Sequence, residues 1–303
     1  MENESALVSI LVLAYNAQEY VIDMLNSIRE QTYERLELVI ADNGSIDLTQ
    51  TYISDWLKNN SYRFERTIFH KNKVNIALTK NINLGLTLCR GKYIKFAYAD
   101  DMLVPDCIEK NYNMCEENSW EVVFSNVKYM GTNKLVHWRN REIQFYKLSA
   151  AEQYKRLAVK NIILAPTFFC RKSVLNRMGG YDEEYKYLDD YPMWIKMTSH
   201  GIKLNYFDDI TVLYRIHEGS LSYEGANDRI VNILFFASDR KLFFKERLRL
   251  LYKHGFYKEI IFQSLQYVYI SILIYNGNVW NRRNQAVRKE YEKICSSLHK
   301  YLY

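Results

Sequence analysis

The first hundred residues alternate between short apolar runs and segments with the spacing of a helix face. The apolar runs predict strands at 7–14, 36–41, 64–69 and 93–98. The segments between them predict helices over 18–29, from Asp47 onward, and over 75–88. Strands that alternate with helices of about a dozen residues indicate βαβ units. We therefore predict an α/β fold with a largely parallel central sheet flanked by helices.

The alternation changes after residue 101. The pattern predicts helices over 103–117, 149–159, 172–178 and 188–199, and strands over 120–129, 203–207 and 211–215, whereas 132–146 is predicted to be irregular. From residue 227 onward it predicts only helices, over 230–251, 257–275 and 284–301, with Gly255 and Gly277 as breaks. We predict a first domain over 1–225 and a helical extension over 226–303.

Composition narrows the class of protein. Of 303 residues, 48% are hydrophobic and 25% are charged, which is ordinary for a soluble globular protein. The net charge of +6 is too dispersed along the chain to indicate a nucleic-acid partner. Five scattered cysteines without a Cys-x-x-Cys pair argue against a zinc site or a disulfide framework and favour a reducing compartment.

The N-terminus and the apolar runs bear on localisation. Met-Glu-Asn-Glu has no basic segment, so no signal peptide is predicted, and no apolar run reaches the length of a membrane span. We predict a cytoplasmic protein. Peripheral attachment to the inner face of the membrane stays open as an alternative.

Polar residues follow the predicted strands where each apolar run stops. Asn16 follows the first strand, Asp42 the second, and Asp100 and Asp101 the fourth. Ligands of open α/β sheets bind at these strand ends, so a nucleotide would lie there. Two adjacent carboxylates repel each other unless a cation lies between them, which makes the Asp100–Asp101 pair a candidate metal site. The alternative is that one of them caps the helix near Pro105.

A series of short motifs recurs in a fixed order between residues 7 and 222. They occupy 8–16, 27–33, 37–47, 75–85, 91–93, 98–101, 179–183, 188–190 and 214–217. Their order and spacing resemble those of family-2 inverting glycosyltransferases of the GT-A fold, the nucleotide-sugar family that builds bacterial surface glycans and glycoproteins. The resemblance implies a GT-A catalytic domain over 1–225.

The resemblance also implies roles for particular residues. Asp42 would hold the nucleotide base, with Ala14 and Asn16 lining the same pocket. Asp100 matches the last Asp of the Asp-x-Asp motif and would bind Mn²⁺ or Mg²⁺ on the diphosphate, and His217 would complete that metal site. The other nucleotide-binding candidates are Asn75, Asn83, Tyr98 and Ala99, and a turn role is a stronger alternative for the two asparagines than it is for Asp42.

The predicted catalytic base is Asp190, which follows its acidic partner Asp189 at the start of a helix. Asp101, Asp189 and Arg215 are supporting candidates. The chain departs from the family pattern at Tyr98, which replaces the first Asp of Asp-x-Asp. That Asp commonly contacts the ribose or a metal-bound water.

The resemblance implies transfer of a hexosyl or N-acetylhexosaminyl group from a nucleotide sugar, with inversion at C1, and the predicted nucleotide is UDP. The acceptor would be a hydroxyl of a glycan, a lipid-linked saccharide or a glycoprotein. One alternative is a non-catalytic partner subunit, which Tyr98 supports. Another is a nucleotidyltransferase, which would need a glycine-rich phosphate loop after the first strand, and residues 14–18 do not provide one.

The C-terminal helices carry no predicted chemistry. Residues 241–251 are basic and amphipathic, and 260–275 are apolar and aromatic. Packing on the first domain or in a homodimer is the favoured prediction. Attachment to an anionic membrane surface is the alternative, because basic amphipathic helices bind such surfaces.

Overall fold

The computed structural model describes residues 5–130, 140–217, 232–279 and 281–302. The chain divides into two compact units. The first comprises Met1–Tyr154 and Asn161–Arg215, and the second comprises Lys155–Lys160 and Ile216–Tyr303. The predicted domain boundary near residue 225 lies outside the described residues and stays a prediction.

A mixed sheet forms the centre of the first unit. Its strands are β1 (Val8–Ala14), β2 (Leu36–Asp42), β3 (Arg66–Lys71), β4 (Tyr93–Tyr98), β5 (Met102–Leu103), β6 (Val122–Met130), β7 (Phe169–Arg171) and β8 (Asn205–Arg215). Their order is β3-β2-β1-β4-β7-β6-β8-β5. The first four strands are parallel to one another, whereas β7 runs antiparallel to both of its neighbours. The predicted α/β fold is confirmed.

Helices flank the sheet strands, and all except the one at Asn140–Lys147 follow the order that the sequence predicts. Those before residue 216 are α1 (Val21–Arg29), α2 (Thr49–Asn60), α3 (Leu78–Leu88), α4 (Cys107–Glu117), α5 (Asn140–Lys147), α6 (Ala150–Val159), α7 (Lys172–Arg177) and α8 (Asp190–Ser199). Every residue of β1 and β2 is buried, as expected for strands that are covered on both faces.

Three local predictions differ from the structure because long-range pairing decides the backbone. The helix predicted from residue 103 begins at Cys107, since Met102–Leu103 pairs with β8 instead. The two short strands predicted at 203–207 and 211–215 form one strand, β8, whose register against β6 shifts near Asn126. Part of the segment predicted to be irregular is α5, and residues 132–139 of that segment lie outside the described residues.

The second unit is helical, as predicted. It contains α9 (Ile233–Leu242), a π-helical turn at Phe243–Arg247, α10 (Leu248–Lys253), α11 (Tyr257–Tyr275) and α12 (Arg282–Leu302). Gly255 and Gly277 follow α10 and α11, where the breaks were predicted. The beginning of the helix predicted from residue 230 lies outside the described residues. In the part of the chain that the structure describes, no helix is both long and apolar enough to cross a membrane.

The buried Arg247 ties the second unit together. Its guanidinium donates to the carbonyl oxygens of Ala158 and Val159, at 3.2 and 2.8 Å, and to the side chain of Gln263. A charged group at 5% exposure costs free energy unless it is hydrogen-bonded in this way. This cluster therefore fixes the end of α6 to the helices of the second unit.

Candidate functional site

The carboxyl ends of three parallel strands meet at one edge of the sheet. Ala14 of β1 is the register partner of Asp42 in β2, and Leu13 is the partner of Tyr98 in β4. Ala99 follows directly, and its backbone N–H donates to the Leu13 carbonyl at 3.1 Å. The register thus brings the predicted residues of β1, β2 and β4 to a common edge.

Asp42 organises the loop that follows its own strand. Its carboxylate is fully buried and accepts from the backbone N–H groups of Gly44 and Ser45, at 3.1 and 2.9 Å. The Gln50 amide donates to the same oxygen at 2.6 Å, and the Ser45 hydroxyl donates to the other. Asp42 therefore shapes residues 43–45 directly, and its contact with a nucleotide base stays a prediction.

Asn16 joins the loop after β1 to the loop after β2. Its backbone has a positive φ of 46°, a conformation that asparagine tolerates better than most residues. Its N–H donates to the Ser45 hydroxyl at 2.9 Å, and its side-chain oxygen accepts from the Ile46 N–H at 3.0 Å. Gln18 and Asp47 add two further bonds between these loops. The two loops consequently form one surface.

Asn75 is joined to the same edge by a hydrogen bond from Asn43, a residue that the sequence prediction did not single out. The Asn43 amide nitrogen donates to Asn75 Oδ1 at 3.2 Å and to the Ile76 carbonyl at 2.8 Å, and its oxygen accepts from the Ile76 N–H at 3.0 Å. Gly44 has a φ of 75°, and a Cβ there would lie 2.4 Å from the carbonyl carbon of Val74. Only glycine permits this close approach.

Asn83 fastens α3 to the segment that precedes α8. Its side-chain oxygen accepts from the Tyr181 N–H at 2.8 Å. Its amide nitrogen donates to the Tyr181 carbonyl at 2.8 Å and to Glu183 at 3.1 Å. These contacts give Asn83 a structural role between α3 and the segment before α8, and its contact with a nucleotide stays a prediction.

Arg215 bonds to both aspartates that follow β4, to the carboxylate of one and to the backbone of the other. Its N–H donates to Asp101 Oδ1 at 2.9 Å, its Nε donates to the Asp100 carbonyl at 2.9 Å, and its guanidinium pairs with Asp23 at 3.0 Å. Asp101 is buried, and this burial, with the charge of Asp100, raises its pKa to about 8. Asp101 thus has a structural role, and Asp100 is the partly exposed carboxylate of the two.

The helix-cap alternative for these carboxylates is wrong. Helix α4 begins at Cys107, and its N-cap residue is Asp106. Asp100 and Asp101 instead lie before β5, in the turn between two strands.

Asp189 and Asp190, the acid pair, lie at the start of α8, and each carboxylate accepts a hydrogen bond from a distant neutral side chain. The Tyr98 hydroxyl donates to Asp189 Oδ2 at 2.8 Å. The Asn161 amide donates to Asp190 Oδ2 at 2.7 Å, and the Tyr191 N–H donates to Asp190 Oδ1 at 2.6 Å. The Tyr98 bond directly links the end of β4 to the start of α8.

The electrostatics of the acid pair suit proton transfer near neutral pH. Burial and the charge of Asp189 raise the pKa of Asp190 to about 7, and burial raises the pKa of Asp189. A carboxylate with a pKa near the operating pH is an effective general base. The acid pair is therefore a candidate catalytic centre on physical grounds as well as by resemblance.

The packing of Trp194 fixes the helix that carries the acid pair. Its indole is 1% exposed and lies edge-on to Phe124 and Phe168, with ring centroids 4.9 and 4.7 Å apart. One helical turn separates Trp194 from Asp190. The core thus anchors the turn from which Asp190 projects.

The predicted metal site can be tested only in part. His217 lies two residues beyond β8, at the beginning of the second unit. Among the described residues, no group of three or more His, Cys, Asp or Glu side chains could hold a metal ion. A cation that binds a diphosphate needs only one or two protein carboxylates, because phosphate oxygens and water supply its other ligands. The partly exposed Asp100 fits that smaller requirement.

Comparison with known proteins gives a family and a fold. Residues 9–179 match the family model described as "Glycosyl transferase family 2". An uncharacterized glycosyltransferase of Haemophilus influenzae is 29% identical over 234 residues, which cover 73% of this chain and 69% of the relative. The Escherichia coli glycosyltransferase WfaP, named a UDP-Glc:alpha-D-GlcNAc-diphosphoundecaprenol beta-1,3-glucosyltransferase, is 27% identical over 218 residues, or 71% of this chain and 80% of WfaP.

Solved structures share the fold at lower identity. TarS of S. aureus, crystallised with UDP-GlcNAc, superposes with a TM-score of 0.60 at 19% identity, over 77% of this chain and 64% of that one. The mannosyltransferase PcManGT of Pyrobaculum calidifontis, solved with GDP-Man and Mn²⁺, gives a TM-score of 0.56 at 17% identity, over 72% of this chain and 59% of that one. The chain thus spans less than two thirds of either solved chain.

Proposed function

The chain belongs to glycosyltransferase family 2, and from that membership we propose that it is an inverting enzyme that transfers a sugar from a UDP-linked donor. The acceptor is a hydroxyl group of a glycan, a lipid-linked saccharide or a glycoprotein. The transferred group is a hexosyl or N-acetylhexosaminyl residue. Family membership disfavours the nucleotidyltransferase alternative.

The observation that carries the proposal is the acid pair at the start of α8, which the Tyr98 hydrogen bond links to the end of β4. Asp190 is partly buried, has a pKa of about 7, and lies next to Asp189, which is hydrogen-bonded to Tyr98. In the GT-A arrangement the donor diphosphate would lie at the end of that strand. A base in this position could reach the acceptor hydroxyl beside the sugar.

Asp190 would act in a single displacement. The acceptor oxygen attacks C1 of the sugar while a carboxylate oxygen of Asp190 takes the hydroxyl proton. The bond between C1 and the diphosphate oxygen breaks, and its electron pair leaves with the nucleoside diphosphate. Because attack and departure occur on opposite faces, the configuration at C1 inverts. A hydroxyl is a weak nucleophile, so removal of its proton during attack is worth about 10²–10⁴-fold in rate.

The loops after β1 and β2 would hold the nucleotide. Ala14 and Asn16 would line the base pocket, and Asp42 would either contact the base or act through residues 43–45, which it orders. Asn75 is exposed and is fixed by Asn43, so it could also reach the nucleotide. Hydrogen bonds join the loops that form this surface.

A divalent cation would assist departure of the diphosphate. Asp100 would supply a carboxylate ligand and His217 an imidazole ligand, a donor set that suits Mn²⁺ better than Mg²⁺. When bound, the cation neutralises the negative charge that develops on the leaving group. The mannosyltransferase PcManGT, which shares the fold, was solved with Mn²⁺.

The names of related proteins support the donor and acceptor classes. WfaP is named for transfer from UDP-Glc to a sugar on diphosphoundecaprenol, and TarS was crystallised with UDP-GlcNAc. Both compounds are UDP-sugars, the first with a hexose and the second with an N-acetylhexosamine. We therefore propose a UDP-hexose or a UDP-N-acetylhexosamine for this chain.

Donor turnover tests the proposal. The full chain is incubated with a panel of UDP- and GDP-sugars and Mn²⁺, and release of the nucleoside diphosphate is measured with and without saccharide acceptors. We expect release from at least one UDP-sugar and its loss in Asp190→Asn. Binding of UDP without any release would support the non-catalytic subunit instead, and failure to bind any nucleotide would contradict both functions.

The second unit would serve packing or association. Along α11, Ile261, Val268 and Ile272 lie on one helix face and remain 39%, 57% and 41% exposed. Homodimer formation and peripheral contact with the inner face of the membrane both stay predictions for the extension.

A further inference from the structure

We propose that Tyr98 is a positioning residue for the acid pair and not a ligand of the donor nucleotide, an inference that rests on the proposed function. Tyr98 occupies the place of the first Asp in Asp-x-Asp, from which a nucleotide contact was predicted. Its hydroxyl is engaged elsewhere, since it donates to Asp189 Oδ2 at 2.8 Å. A tyrosine has one O–H to donate, and here the acid pair accepts it.

The alternation of β4 explains why Tyr98 reaches α8. Residues two apart on a strand share a face, so Phe96 and Tyr98 point to the same side of the sheet. Phe96 stacks on Phe168, with centroids 5.4 Å apart, and meets Tyr181 edge-on at 5.8 Å. These neighbours precede α8 in the chain, and the next residue on that face, Tyr98, contacts the N-cap of that helix.

The bond from Tyr98 distributes charge within the acid pair. A carboxylate that accepts an O–H bond retains its negative charge more readily, so Tyr98 favours ionised Asp189. The charge of Asp189 in turn raises the pKa of Asp190. Among the described residues, Tyr181 and the Asn161 amide also interact with the pair, and neither carries charge at neutral pH.

A neutral donor at position 98 adds no negative charge beside the acid pair, whereas a carboxylate in contact with Asp189 would add one. An aspartate at this position would be a third negative group beside two that already repel each other. Tyr98 is also long enough to bridge the end of β4 and the start of α8. The replacement of the first Asp of Asp-x-Asp by Tyr98 thus fits a role in positioning the acid pair.

Tyr98→Phe tests the inference, because it removes the hydroxyl and keeps the ring. We expect kcat to fall roughly 10- to 100-fold, the effect of losing one hydrogen bond to a charged group. The donor KM and the Kd for UDP, measured by calorimetry, should not change. The acidic limb of the kcat/KM profile should move to lower pH. Without the Tyr98 bond the pKa of Asp189 rises, so Asp189 is more often neutral and Asp190 ionises at a lower pH.

Tyr93→Phe is the matched control. Tyr93 lies on the same strand, and its hydroxyl also donates to a carboxylate, that of Glu116. This variant should keep the wild-type kcat and pH profile. If Tyr98→Phe does not fold by circular dichroism, Asp189→Asn replaces it, with the same expected loss of kcat at unchanged UDP affinity.

Two outcomes overturn the inference. A wild-type kcat in Tyr98→Phe would show that the hydroxyl does not act through Asp189. Weaker UDP binding at unchanged kcat would show that Tyr98 contacts the nucleotide. Failure of the proposed function is distinguishable, because it appears as absence of turnover in the wild-type chain itself.

Discussion

Asn161 donates a hydrogen bond of 2.7 Å to Asp190 Oδ2, although 29 residues separate the two in sequence. Asn161 Oδ1 in turn accepts from the Ile163 N–H at 3.0 Å, so the amide cannot rotate without losing a second bond. The carboxylate of the predicted base is therefore held by a neutral side chain whose own orientation is fixed.

Replacing Asp190 by Asn should abolish transfer and leave nucleotide binding nearly intact. The amide cannot take the acceptor proton, while the loops after β1 and β2 are unchanged. We expect kcat to fall by about 10²–10⁴-fold. Turnover assays and UDP calorimetry on the same preparation measure transfer and nucleotide binding separately. Turnover near the wild-type rate would show that Asp190 is not the base.

Asn161→Ala should shift the pH dependence of the wild-type enzyme. Since Asp190 must be ionised to act and its pKa is about 7, wild-type kcat/KM should fall as the pH drops below about 7. The Asn161 bond favours the ionised carboxylate, so its loss raises the pKa of Asp190 and moves the acidic limb to higher pH. Tyr98→Phe is expected to shift this limb in the opposite direction.

Asn126→Ala provides the control for that shift. Asn126 also donates to a carboxylate at 2.7 Å, that of Asp208, on the strand pair β6–β8. Its removal should leave the pH profile unchanged. Equal shifts in both alanine variants would indicate a general effect on stability and not an effect on the base.

Metal dependence should require Asp100 and His217. Asp100→Ala and His217→Ala should each weaken Mn²⁺-dependent UDP binding, because each removes a proposed ligand. His200→Ala, at the end of α8, is a control that should bind as the wild type does. Calorimetry that gives the same UDP affinity in EDTA and in Mn²⁺ would argue against a metal site in this chain.

Gly44→Ala should destabilise the protein and weaken UDP binding. A Cβ at Gly44 would lie 2.4 Å from a Val74 backbone atom, in addition to the strain of a φ of 75°. Gly201→Ala separates the two effects, because Gly201 has a φ of 78° with nothing within 4 Å of its Cβ position. We expect Gly44→Ala to lose about 1 kcal/mol or more beyond the loss in Gly201→Ala, measured by urea unfolding. Equal losses of unfolding free energy in the two variants would show that the loop around Gly44 can move to accommodate the added Cβ.

The parallel half of the fold was predictable because its signals are local. Continuous apolar runs, such as that of β1, indicate strands that are buried on both faces, and their alternation with helical spacing fixes the class. The second half was less predictable. The pairing of Met102–Leu103 with β8 depends on a partner more than a hundred residues away, and neither residue carries a local strand pattern.

The candidate site shows the same division. Motif order made Asp42, Asp100 and Asp190 candidates, but it did not point to the side chains that hydrogen-bond to Asp42 and Asp190. Asn161 lies in an irregular segment with no periodicity or motif, and Gln50 lies within a helix, so nothing in the sequence distinguishes either from a surface amide. Such supporting contacts are formed by the tertiary fold and become visible only with it.

The sequence Asn43-Gly44 has a consequence for chemical ageing. Asparagine followed by glycine deamidates readily when the glycine nitrogen can attack the side-chain amide. In the folded chain that nitrogen donates to Asp42 Oδ1, and the Asn43 amide is held by Asn75 and Ile76. Local opening of this loop would release both groups. Mass spectrometry can follow the rate at which Asn43 converts to a carboxylate. That rate would therefore measure how often the loop after β2 opens.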